Sequence, residues 1–146
     1  MKHDPNCIFC KIVAGEIPCT KIYEDDRTLA FADISPINPG HCLIIPKSHS
    51  ENLFEIPQED LDAVMHTAKK LALALKQSLK QPGLSVLQLN GAGANQVVMH
   101  YHLHLIPRDR SKDGVSMLEW ESEPGDPEEI KAAANKIIAA IQGGNR

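Results

Sequence analysis

The run His100-Tyr101-His102-Leu103-His104-Leu105-Ile106 alternates imidazole with apolar or aromatic side chains. An extended chain sends successive side chains to opposite faces and sets alternate residues about 6.6 Å apart, so as a strand it stacks three imidazoles on one face. Tyr101, Leu103 and Leu105 then lie on the other face, which needs a covering layer. The sequence supplies one: behind Pro57-Gln58-Glu59-Asp60, Leu61, Val64, Met65, Ala68, Leu71, Ala72, Leu75 and Leu79 recur at helical spacing until Gln81-Pro82-Gly83 stops them.

Other elements follow from pattern and breakers. A short helix over Ile8 to Val13 ends at Gly15, and strands over Ile22 to Glu24 and Thr28 to Asp33 meet at Asp25-Asp26. The turn cluster Ser35-Pro36-Ile37-Asn38-Pro39-Gly40 leads into a buried strand, His41 to Ile45, closed by Pro46. Leu84 to Asn90 reads as a strand, and the small-residue loop Gly91 to Gln96 joins it as a hairpin to Val97 to Pro107. Asp109 to Pro127 is polar and broken, and a helix over Pro127 to Ile141 closes the chain. About five strands and two main helices, without strict βαβ alternation, predict an α+β fold: an antiparallel sheet with helices on one face and the other face free for a site. At 146 residues the chain is expected to form a single domain, 1–146.

Composition excludes several classes. Hydrophobic residues at 42% and charged residues at 23% are ordinary globular values, and no apolar run reaches the roughly 18 residues of a membrane span. Lys and Arg number 15 against 19 Asp and Glu, a net charge of −4, so no basic field exists to make nucleic acid the main ligand. The first residues carry no apolar leader, which predicts a cytoplasmic location. There thiols stay reduced, so the four cysteines are not read as disulfides. Cys7-x-x-Cys10 has no strand before it, which favours metal binding over thiol exchange, and Cys42 reads as a small buried hydrophobe.

Histidine suits phosphoryl or nucleotidyl transfer because near neutral pH a ring nitrogen attacks phosphorus without prior deprotonation. The ring must be fixed in one tautomer, and neighbours must offset charge growing on the phosphate oxygens. His102, the middle histidine, is flanked for this, with His104, His41 and amides of the Gly91 to Gln96 loop as stabilisers. A solvated polar face and a three-histidine zinc centre are the competing readings. The loop lacks the Gly-Lys-Ser/Thr ending of a nucleotidase P-loop.

The same residues carry a resemblance. His100 to Arg108, with Asn90-Gly91 and Asn95-Gln96-Val97 before it, resembles the signature of the histidine triad (HIT) superfamily. The similarity continues upstream through Cys7-Ile8-Phe9-Cys10-Lys11-Ile12, Leu29 to Pro36, Pro39-Gly40-His41 and Ile45 to His49, covering roughly 7–108, with 109–146 as an extension and helix. It most resembles the Hint-like nucleotide phosphoramidase branch, which implies a homodimer cleaving a substituent from the α-phosphate of a purine nucleotide. The chain's alternatives are a dinucleoside polyphosphate hydrolase and a nucleotide-binding regulatory module.

By that resemblance His102 is the nucleophile, oriented by the His100 carbonyl, and His104, His41, Asn90, Gln96 and the backbone at Val97 and Val98 hold phosphate. Asp33 binds the ribose, and Phe9, Ile12, Phe31, Ile34 and Leu43 form the purine slot; core packing is the rival role for Phe9, Phe31 and Ile34. Cys7, Cys10, His49 and His100 are implied as a structural zinc set, with no catalytic metal or organic cofactor. Tyr101 departs from the usual aliphatic residue. Asn95 and Val97 depart where the family commonly has Gly before the Gln and Ser or Glu after it, which implies weaker protonation of the leaving group.

Overall fold

The computed structural model describes residues 1–113 and 123–144. They fall in two compact units, Met1–Gly114 and Val115–Arg146. The part of the expected polar segment at 114–122 lies outside the described residues.

The first unit runs α1 (Ile8–Val13), β1 (Lys21–Glu24), β2 (Thr28–Ala32), β3 (Cys42–Pro46), α2 (Gln58–Leu79), β4 (Gly83–Leu87) and β5 (Leu103–Arg108). The five strands form one antiparallel sheet in the order β1-β2-β3-β5-β4, the expected α+β class. In the second unit α3 spans Pro127–Gly144; the Asp126 carboxylate accepts the Glu128 amide, and Ile130, Ile137, Ile138 and Ile141 remain at least half-exposed or nearly so.

Period-two alternation divides the core between the two sheet faces. Ala30, Cys42, Ile44, Leu103 and Leu105 turn to one side and pack with Tyr101 against Val64, Ala68 and Leu71 of α2. Leu29, Phe31, Leu43 and Ile45 turn to the other side and pack with Cys7, Phe9 and Cys10 around α1. The second face is therefore not wholly free, contrary to the expectation from the sequence: α1 covers part of it because Phe9 and Cys10 need an apolar surface of their own. Cys42 is 1% exposed, the small buried hydrophobe its context predicts.

The histidine segment differs in one respect. Strand pairing begins only at Leu103, not at Val97, because the preceding residues bond elsewhere: the Tyr101 amide donates to the Ser50 carbonyl at 2.7 Å and the His100 side chain to the Pro46 carbonyl. The alternation nevertheless holds through the irregular stretch. Likewise β4 ends at Leu87, so the connection to β5 is longer than Gly91 to Gln96 and contains a 3₁₀ turn at Ala92–Ala94.

Candidate functional site

His104 sits opposite Leu43 of β3 and Leu87 of β4, in the middle of the sheet. His41 immediately precedes β3 and shares a face with Leu43, which brings its Nε2 within 2.9 Å of His104 Nδ1. His102 lies beside His104, ring centroids 5.2 Å apart, and stands edge-on to Phe9 at 5.2 Å.

Proton positions follow from the partners. A carbonyl oxygen only accepts, so His102 Nδ1 carries a proton and donates it to the His100 carbonyl at 2.7 Å, leaving the lone pair on Nε2. Reversing the tautomer would set two acceptors face to face, at about 1–3 kcal/mol, enough to favour one form by about fivefold or more. The edge-on Phe9 contact, about 1 kcal/mol, fixes the ring plane. Burial lowers the His102 pKa, so the ring is neutral at pH 7.

The second pair is equally defined. The Ile37 amide donates to His41 Nδ1 at 3.0 Å, so the His41 proton is on Nε2 and points at His104 Nδ1, with Asp33 Oδ2 at 3.3 Å. His104 must then carry its own proton on Nε2. Burial, with His102 and His41 beside it, pushes His104 down to about 4, and burial also lowers His41 against the pull of Asp33. The cluster thus presents one ring with a lone pair beside one with an N–H, the complementary pair needed to attack phosphorus and bind its oxygens.

Among the described residues two sets converge closely enough to hold an ion: Cys7, Cys10, His49 and His100, and Asp33, His41 and His104. The proton positions separate them. His41 Nε2 is protonated, so the second set lacks a donor pair where it would need one. In the first, His100 Nε2 donates to the Pro46 carbonyl at 2.8 Å, which puts its lone pair on Nδ1. That atom meets Cys7 Sγ at 3.4 Å, Cys10 Sγ at 3.6 Å and His49 Nδ1 at 3.3 Å, with Cys10 Sγ to His49 Nδ1 at 3.4 Å. Usual Zn–S and Zn–N lengths in a tetrahedron give separations of about 3.6 Å for S···N and about 3.3 Å for N···N. Donor type, lone-pair direction and spacing all fit zinc. Burial holds His100 down at about 4, neutral as a ligand must be, and raises Cys10 to about 11, so an ion would have to displace its proton.

The remaining expected residues divide. Phe9, Ile12, Phe31, Leu43 and Val98 meet in the apolar cluster beside His102, whereas Ile34 is 96% exposed and neither packs in the core nor joins them. Asp33 Oδ1 accepts the Ser35 amide, leaving Oδ2 toward the histidine pair. Gln96 is buried, but its Oε1 accepts from the Gly91 amide and its Nε2 donates to the Glu51 and Val98 carbonyls, so it braces the loop. Asn90 accepts the Leu53 amide and pairs with Gln88. The amides of Gly91, Ala94, Asn95 and Gln96 are committed within the loop, contrary to the expected anion nest there. Val97 is exposed. Sequence reasoning missed the Pro46 carbonyl and the Ile37 amide, backbone groups with no residue signature; only the breaker-rich turn before His41 hinted at the latter.

Comparison with known proteins places these features. The HIT domain profile matches residues 14–111. The chain is 41% identical over 137 residues to an adenosine 5'-monophosphoramidase of Schizosaccharomyces pombe, covering 94% of this chain and 99% of that one. A HIT family protein from Bacillus subtilis superposes with a TM-score of 0.84 at 42% identity, covering 91% of this chain and 95% of that one. A zinc-bound histidine triad family protein from Mycobacterium smegmatis superposes with a TM-score of 0.71 at 34% identity, over 92% and 97%.

Proposed function

The chain belongs to the HIT domain family, and from that premise we propose that it is a nucleotide phosphoramidase, cleaving an amine from the α-phosphate of a purine nucleotide. One observation carries this reading: the His102 Nε2 lone pair, fixed by the Nδ1–H bond to the His100 carbonyl, beside a neutral His104 that presents Nε2–H. That the S. pombe relative is named a monophosphoramidase supports the reaction class.

In this reading His102 Nε2 attacks phosphorus as the bond to the leaving amine breaks and the amine takes up a proton. His104 Nε2–H and the amides at Val97 and Val98 bind the equatorial oxygens, and His41 acts through His104. Water then cleaves the nucleotidyl-histidine, returning His102 and releasing the nucleoside monophosphate. Asp33 Oδ2 takes the ribose hydroxyls, and Phe9, Ile12, Phe31 and Leu43 line the base slot, without Ile34. Asn90 and Gln96 hold the loop that carries the phosphate-binding amides. With Val97 in place of a polar residue, the leaving amine draws its proton from solvent.

Cys7, Cys10, His49 and His100 would hold a structural zinc, which supplies a cross-link between α1 and the histidine segment and no chemistry at phosphorus. A reduced cytoplasmic setting would keep those thiols available. No helix among the described residues is long and apolar enough to cross a membrane. The chain would act as one HIT domain, 1–146, and as a homodimer, whose interface is the apolar surface of α2 and the β4 edge, where Leu73, Leu84 and Val86 are exposed.

A substrate panel tests the reaction. Adenosine phosphoramidate is expected to be hydrolysed with kcat/KM at least about tenfold above that for diadenosine polyphosphates. The reverse order would make the chain a dinucleoside polyphosphate hydrolase, and turnover of neither would leave a binding module.

A further inference from the structure

The proton order of the imidazole pair begins outside the pair. His41 Nδ1 is the acceptor because the Ile37 amide points at it, with Asp33 Oδ2 at 3.3 Å from Nε2 favouring the same form, and Ile37 lies in the turn 35–40, which has no ladder to hold it. The turn is instead fastened by Asn38. Its side-chain amide donates to the Pro107 carbonyl on β5 at 2.9 Å and to Asp113 Oδ2 at 3.1 Å, while its own carbonyl accepts the His41 amide at 3.0 Å. Asp113 Oδ2 is itself held by Arg108 Nε at 2.8 Å and the Asp109 amide at 3.1 Å, and its side chain is 5% exposed. Gly40 allows the close approach: its φ is +91°, and a side chain there would run into Leu79 and crowd Pro107.

We infer that Asn38 is a positioning residue for the reaction: by tying the turn to β5 it keeps the Ile37 amide on His41 Nδ1 and thereby puts the His104 proton on Nε2. This rests on the reading that His104 Nε2–H faces phosphate. Asparagine is suited because both fastening bonds need a donor, which aspartate and alanine lack. If the turn drifts, Nδ1 loses the donor that makes it an acceptor; Asp33 Oδ2, 3.3 Å from Nε2, alone still favours the Nε2–H form, and a fraction of His41 moves its proton to Nδ1. Its Nε2 then becomes an acceptor 2.9 Å from His104 Nδ1, and the pair stays bonded only if His104 puts its proton on Nδ1. His104 would then turn a lone pair, not an N–H, to the substrate anion. A donor lost from charge that grows in the transition state lowers kcat more than it raises KM.

The test is ¹⁵N NMR of the imidazoles in the whole protein, wild type against Asn38→Ala and the isosteric Asn38→Asp, with thermal unfolding and zinc content as controls. Expected are Nε2–H forms for His41 and His104 in the wild type. In the variants an Nδ1–H fraction appears at His41, and kcat for adenosine phosphoramidate falls about tenfold with KM within about twofold. A folded variant with the wild-type tautomers and kcat overturns the inference. So does an Nδ1–H His41 in the wild type, a result that needs no variant to fold. Tautomers that shift as expected in a protein that turns over no phosphoramidate would uphold the positioning role and reject the proposed function.

Discussion

Three neutral imidazoles lie within one small cluster, and each is neutral for the same reason: burial penalises its charged form more than Asp33 supports it. His104 has the clearest consequence. Its folded pKa is about 4, with His41, His102 and Asp33 facing it, against about 6.5 unfolded. Between those values the unfolded chain binds more protons than the folded one, so the His104 contribution makes stability fall as pH drops from about 6.5 toward about 4. Replacing His104 by Gln removes that contribution. Urea unfolding at pH 7 and pH 5 is expected to show wild type losing more stability than His104→Gln; equal losses would contradict the assignment. At this scale the sequence was informative about which side chains share a face, since alternation is set by backbone geometry alone. It could not reveal which nitrogen of each ring carries the proton, because the deciding partners are the carbonyls of Pro46 and His100 and the amide of Ile37.

Among the elements, α1 is the one least able to stand by itself. Six residues cannot sustain a helix in water, and its stability comes from Phe9 and Cys10 in the second apolar cluster and from the Cys7 thiol, which accepts the Cys10 amide at its start. The Cys and His set ties this helix to the segments carrying His49 and His100. Metal analysis is expected to find about one zinc per chain, falling to near zero in Cys7→Ser with Cys10→Ser, with a lower unfolding temperature. A native protein free of metal, as stable as the double variant, would remove zinc from the account. The pattern gave α1, α2 and the paired strands β1 and β2 closely, because periodicity and breakers agree there. It overextended β4 and β5: the residues before β5 bond to the segment 46–51, and Asn90 after β4 accepts the Leu53 amide, contacts that no local pattern records.

Within the first unit α2 covers one sheet face and the histidine cluster lies on the other, and the surface proposed for self-association is α2 with the β4 edge. Leu73 at 57% and Val86 at 55% exposure are costly to leave in water. Sedimentation is expected to give twice the chain mass, and Leu73→Glu with Val86→Glu to shift it toward monomer; a wild-type monomer would contradict the homodimer. The net charge of −4 is also consistent with the proposed function, in which an anion is met by neutral rings and backbone amides, an arrangement that suits a small nucleotide better than a polymer.

The proposed reaction turns on attack of His102 on phosphorus. Intact-mass spectrometry of the protein mixed with a slowly turned-over adenosine phosphoramidate tests it most directly. A species heavier by one adenylyl group is expected in the wild type and none in His102→Ala; an adduct that persists in His102→Ala would rule out His102 as the nucleophile.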